Sequence, residues 1–80
     1  MKILVRNLAR TTTENEVREL FSTHGTVTEC DLVLDQVTGL SKGFAFVEMP
    51  DENEAEAGVN ALNSYLFANS KIRVKVANPE

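Results

Sequence analysis

Apolar and polar positions alternate with a period of two along four stretches of this chain and with a period near 3.6 along two others. Lys2-Ile3-Leu4-Val5-Arg6-Asn7-Leu8 reads as a strand that sends Ile3 and Val5 to one face and Lys2, Leu4 and Arg6 to the other. Thr13-Glu14-Asn15-Glu16 has the form of a capping box. Behind it Val17, Leu20 and Phe21 keep helical spacing, with Glu14, Arg18 and Glu19 outside. His24-Gly25 closes this helix, the glycine in the C′ role. From Val27 to Asp35 alternation resumes, with Cys30, Leu32 and Leu34 inward and Glu29, Asp31 and Val33 outward. A loop with turn chemistry around Gly39 leads to Lys42-Gly43-Phe44-Ala45-Phe46-Val47-Glu48-Met49, where Ala45, Val47 and Met49 share one face and Phe44, Phe46 and Glu48 the other. Pro50 and the acidic turn Asp51-Glu52-Asn53-Glu54 open a second helix with Ala55, Gly58, Val59 and Leu62 on one side. Gly58 costs about 1 kcal/mol against alanine, which predicts that this helix packs closely. Tyr65-Leu66-Phe67 predicts a short extra strand or turn acting as a lid. Lys71 to Val76 predicts the last strand, with Ile72, Val74 and Val76 inward and Lys71, Arg73 and Lys75 outward.

The order strand, helix, strand, strand, helix, strand implies an α+β fold: a ferredoxin-like split βαβ sandwich (β-α-β-β-α-β), with two helices on one face of a four-stranded antiparallel sheet. Residues 1–80 read as a single domain without repeat, linker or low-complexity segment. At 42% hydrophobic and 25% charged residues the chain is of ordinary globular composition, able to form a small core. One cysteine, Cys30, and one histidine, His24, exclude an internal disulfide and fall short of a tetrahedral zinc set, so no metal and no cofactor is expected. No apolar run reaches the length of a signal peptide or membrane span, and a reducing cytoplasm is the expected setting.

In the octapeptide strand two large rings take the face opposite Ala45, Val47 and Met49. That face is then a platform, and paired phenylalanines beside Lys42 suit stacking of unpaired bases with a cation for phosphate. The octapeptide resembles the signature of the RNA recognition motif family, Lys/Arg-Gly-Phe/Tyr-Gly/Ala-Phe-Val-x-Phe/Tyr, with seven of eight positions met and Met49 at the aromatic eighth. The first strand resembles the family's hexapeptide, with Leu4 at the place where an aromatic usually stacks. The resemblance extends over essentially all 80 residues and is nearest to the small single-motif RNA-binding proteins of bacteria. It implies that the first and octapeptide strands lie side by side in the middle of the sheet, which would join Leu4, Phe44 and Phe46 into one apolar strip.

Twelve acidic against eight basic residues give a net charge of −4, where a nucleic-acid binder is expected to be basic. Seven of the acids, Glu14, Glu16, Glu19, Asp51, Glu52, Glu54 and Glu56, fall on the two helices, away from the strands' outward face. Lys2, Arg6, Lys42, Arg73 and Lys75 stand against Glu29, Asp31 and Glu48 on that face and leave it mildly positive. Expected on this basis is a binding protein, not an enzyme. Single-stranded RNA is the partner, with single-stranded DNA a weaker one, and the protein is a monomer that avoids membranes. The contact set is Lys2, Leu4, Arg6, Asn7, Lys42, Phe44, Phe46, Glu48, Arg73 and Lys75, with main-chain groups at Ala77 and Asn78. The loss of a ring at Leu4 and the carboxylates Glu29 and Asp31 favour an alternative, a protein–protein interaction module on the same fold, although Tyr65-Leu66-Phe67 lacks the Arg-x-Phe of the family's peptide-binding branch. A small phosphatase on the same layout lacks support: neither a phosphate-cradling glycine loop nor a nucleophile–base set is present.

Overall fold

In the computed structural model, which describes residues 1–77, the chain runs through β1 (Lys2–Arg6), α1 (Glu14–Ser22), β2 (Glu29–Leu34), β3 (Ser41–Glu48), α2 (Glu52–Leu62), β4 (Leu66–Phe67), β5 (Ser70–Lys71) and β6 (Arg73–Val76). Four strands form one antiparallel sheet in the order β2-β3-β1-β6, and β4 with β5 makes a separate two-stranded hairpin. The expected α+β sandwich is thereby realised, with β1 and β3 central.

Both helices start where their caps dictate. Thr13 Oγ1 accepts from the Glu16 amide at 3.2 Å while Glu16 Oε1 accepts from the Thr13 amide at 2.8 Å. Asp51 Oδ1 takes the amides of Asn53 and Glu54 at 2.8 and 3.1 Å. Each cap satisfies donors that the first turn leaves free and contributes about 1 kcal/mol. Helix α1 ends at Thr23, two residues before Gly25, so the glycine is not at C′. Its missing Cβ instead makes room for α2, because a Cβ there would lie 2.5 Å from that of Glu54.

One core joins the helices to one face of the sheet. Val17 and Phe21 of α1 and Ala55 and Leu62 of α2 pack with Ile3, Val5, Cys30, Ala45, Val47, Met49, Ile72 and Val74. Full burial of the larger of these stabilises by about 1.5–3 kcal/mol each, which is why the alternation in β1 and β3 is strict. Met49 is fully buried, so its replacement of an aromatic is an exchange within the core. Leu8, not assigned a side by the alternation, is buried too.

Two residues expected inward are exposed rather than buried. Leu34 is 50% exposed and Val76 40%. Along β2 and β3 the pairing moves from Leu32↔Ala45 to Leu34↔Ser41, so β3 advances four residues while β2 advances two. The surplus bulges at Lys42-Gly43, where Gly43 has φ +86°, and β2 bends away from the core before Leu34 can reach it. The last strand, expected from Lys71, is divided. Lys71 pairs with Leu66 in the hairpin, Ile72 exchanges main-chain hydrogen bonds with Ser64 and Tyr65, and β6 begins only at Arg73.

Candidate nucleic-acid interface

Among the described residues nothing covers the sheet face opposite the helices, and its side chains are ordered in rows by strand register. One row runs Asp31, Phe46, Leu4, Lys75 across β2, β3, β1 and β6. A second runs Glu29, Glu48, Lys2. At the other end Arg6 of β1 stands opposite Arg73 of β6. Directly opposed residues of antiparallel strands share a face, so the apolar strip of Leu4, Phe44 and Phe46 expected from the sequence is formed, each of the three half-buried.

The two rings do not make one flat step. Phe44 and Phe46 meet edge to face, with centroids 6.2 Å apart and planes at 87°. Only one of them can present a face in a given direction, and the other offers its edge. The Lys2 ammonium lies 5.4 Å from the Phe46 centroid, over its ring.

Cations gather in two places. Arg6, Arg73 and Lys75 line an open concavity of about 490 Å³ together with Asn7, Asn63 and Val74. Like charges opposed on neighbouring strands repel, so the Arg6–Arg73 pair is suited to an anion between or above the guanidinium groups. A second concavity, of about 560 Å³, holds Arg10 and Lys42 beside Phe44, Ser41, Leu40, Thr38 and Asp35. Arg10 was not among the residues expected from the sequence. It lies in the connection after β1, where no periodicity assigns a face, and it reaches the site because its guanidinium donates to the Ser41 carbonyl at 3.3 Å beside the Gly43 bulge.

Other expected contacts have structural partners. Asn7, at φ 62°, turns the chain out of β1, and its side-chain amide donates to the Lys71 carbonyl at 2.8 Å. The Glu48 carboxylate accepts from the Met1 amine at 2.8 Å. The Ala77 amide donates to the Lys2 carbonyl at 2.8 Å. Asn78 lies outside the described residues.

Cys30 is buried on the helix side of the sheet. Burial, helped by the charge of Glu14, pushes its thiol up to about 11, so at neutral pH it is protonated and a poor nucleophile. Among the described residues no group of three His, Cys, Asp or Glu side chains could hold a metal ion, and no helix is long and apolar enough to cross a membrane.

Known proteins share the sequence and fold that carry this face. The family model described as "RNA recognition motif" matches residues 3–73. The chain belongs to the RNA recognition motif family. Glycine-rich RNA-binding protein 1 of Mycosarcoma maydis is 39% identical over 77 residues, a match that takes in 96% of this chain and 44% of the relative, so the RNA recognition motif described here spans less than half of that protein. Among solved structures, the crystal structure of RNA binding protein PG1 matches with a TM-score of 0.94 at 39% identity, over 100% of this chain and 99% of that one. An Sxl-Lethal protein/RNA complex matches with a TM-score of 0.92 at 29% identity, over 99% of this chain and 47% of that one.

Proposed function

We propose that this RNA recognition motif binds single-stranded RNA across the open sheet, by stacking and phosphate contact and without catalysis. The observation that carries the reading is the row in which Phe46 stands beside Leu4 with Lys75 on one side, next to the opposed Arg6 and Arg73. In the proposed complex one base stacks on Phe46, a neighbouring sugar packs against Phe44, and Leu4 supplies apolar support without a π-face. Phosphates lie toward Arg6, Arg73 and Lys75, with Lys42 and Arg10 at the bulge end. Stacking on Phe46 takes the space above the ring where the Lys2 ammonium lies. An exposed cation–π contact is worth about 0.5–1 kcal/mol and a base–aromatic stack about 1–3 kcal/mol, so the base wins and Lys2 is released toward the backbone. With one ring replaced by Leu4 and few cations, the affinity is micromolar or weaker. DNA binds more weakly because it lacks the 2′-hydroxyl.

The test is fluorescence anisotropy with a panel of short labelled RNAs at low salt. Phe46→Ala is expected to weaken binding by about tenfold or more, the loss of one stack. An unchanged affinity, with the variant shown to be folded, would overturn the reading.

A further inference from the structure

We propose that Asp31 makes the Phe46 platform selective for guanine. The inference rests on the single-stranded RNA reading above and adds a base identity to it. Asp31 and Phe46 are Cα partners in the β2–β3 ladder, so their side chains leave the sheet on the same side. Their Cβ atoms are then about 4.5–5.5 Å apart. A base lying on the Phe46 ring therefore has its edge within reach of the Asp31 carboxylate. Asp31 is exposed, and among the described residues its carboxylate accepts no hydrogen bond and joins no ion pair.

Charge sets which edge it meets. Along the row the order is carboxylate, ring, the apolar Leu4, and the ammonium of Lys75. A polyanionic backbone is repelled at the Asp31 end and attracted at the Lys75 end. The stacked nucleotide thus places its sugar and phosphate toward β6 and its Watson–Crick edge toward β2.

A carboxylate only accepts, so it discriminates among bases by their donors. Guanine offers N1–H and the N2 amino group side by side, which match the two carboxylate oxygens in a pair of charge-assisted hydrogen bonds. Adenine and cytosine offer one amino group next to a ring-nitrogen lone pair that repels the carboxylate. Uracil offers one N–H between two carbonyl oxygens and is the worst of the four. One well-formed bidentate contact gives discrimination of about tenfold or more.

The experiment measures binding of five-nucleotide RNAs, UUUUU and its variants with adenosine, guanosine or inosine at the centre, to the wild-type chain and to Asp31→Ala, Asp31→Asn and Phe46→Ala. Inosine keeps N1–H and lacks the N2 amino group. The wild-type chain is expected to prefer the guanosine oligonucleotide to UUUUU by about tenfold, with inosine between them. Asp31→Ala and Asp31→Asn are expected to bring guanosine and uridine within about twofold while UUUUU binds as well as before or better, since a repelling charge has gone. Phe46→Ala is expected to weaken all four. Equal wild-type affinity for guanosine and uridine, or a preference that survives both Asp31 substitutions, overturns the assignment and leaves the RNA reading standing. Failure of the wild-type chain to bind any of the four overturns both.

Discussion

Gly43 holds the platform strand at its junction with the rest of the molecule. Its φ of +86° lies in the left-handed region, and its carbonyl accepts the Leu8 amide at 2.8 Å. A Cβ would stand 3.3 Å from the Leu8 carbonyl oxygen and 3.3 Å from Arg10 Nε, so backbone strain and crowding act together. Gly43→Ala is expected to lower unfolding stability by about 1–2 kcal/mol, measured by urea denaturation. The Arg10 guanidinium should be displaced as well, because it lies against the same spot. The glycine was legible in the sequence as part of a signature, but its neighbours were not. Leu8 and Arg10 are brought to it by the path of the chain after β1, which leaves no periodic trace.

Among the elements, α2 departs from expectation in a way that can be measured. Close packing on the sheet was the expected reason for Gly58. A Cβ there would sit 3.6 Å from the Phe21 ring, 3.7 Å from His24 Cβ and 3.8 Å from Met49 Sδ, which are ordinary contacts. The space for a methyl group is present, mostly against α1. Gly58→Ala is therefore expected to stabilise the protein by about 1 kcal/mol, seen as a higher urea midpoint at unchanged slope. Periodicity read β1, β3 and both helices well because each buries one face from end to end. It failed at Leu34 and Val76, the last residues of their strands, because parity gives the side a residue faces and not whether anything covers it. At Leu34 the register shift at Lys42-Gly43 takes β2 off the core; Val76 pairs with the buried Ile3 and so faces the helix side, but it ends the edge strand β6 and is left 40% exposed.

At the scale of the whole molecule the net charge of −4 is divided between two surfaces. The carboxylates of both helices lie behind the sheet, and the cations of β1 and β6 lie in front of it. This separation was legible in the sequence once the helices were placed, whereas the meeting of Arg6 with Arg73 required the β1–β6 register. With Arg6, Arg73 and Lys75 each neutralising a phosphate, log K against log salt for single-stranded RNA should fall with a slope of about −2, steeper by about 0.7 for each of Lys2, Arg10 and Lys42 that also meets one. Arg73→Ala should reduce the magnitude of that slope by about 0.7, whichever RNA is used, in titrations at several salt concentrations. The β1–β6 pairing also brings the two ends of the described chain together, the Ala77 amide bonding to the Lys2 carbonyl. Because those strands are antiparallel, tension applied through residues 2 and 77 opens their ladder from one end, a bond at a time, instead of loading all its bonds in shear. Pulled from its ends, the domain is a zipper and not a clamp: it yields at low force, and the first strand to peel away carries Arg73 and Lys75.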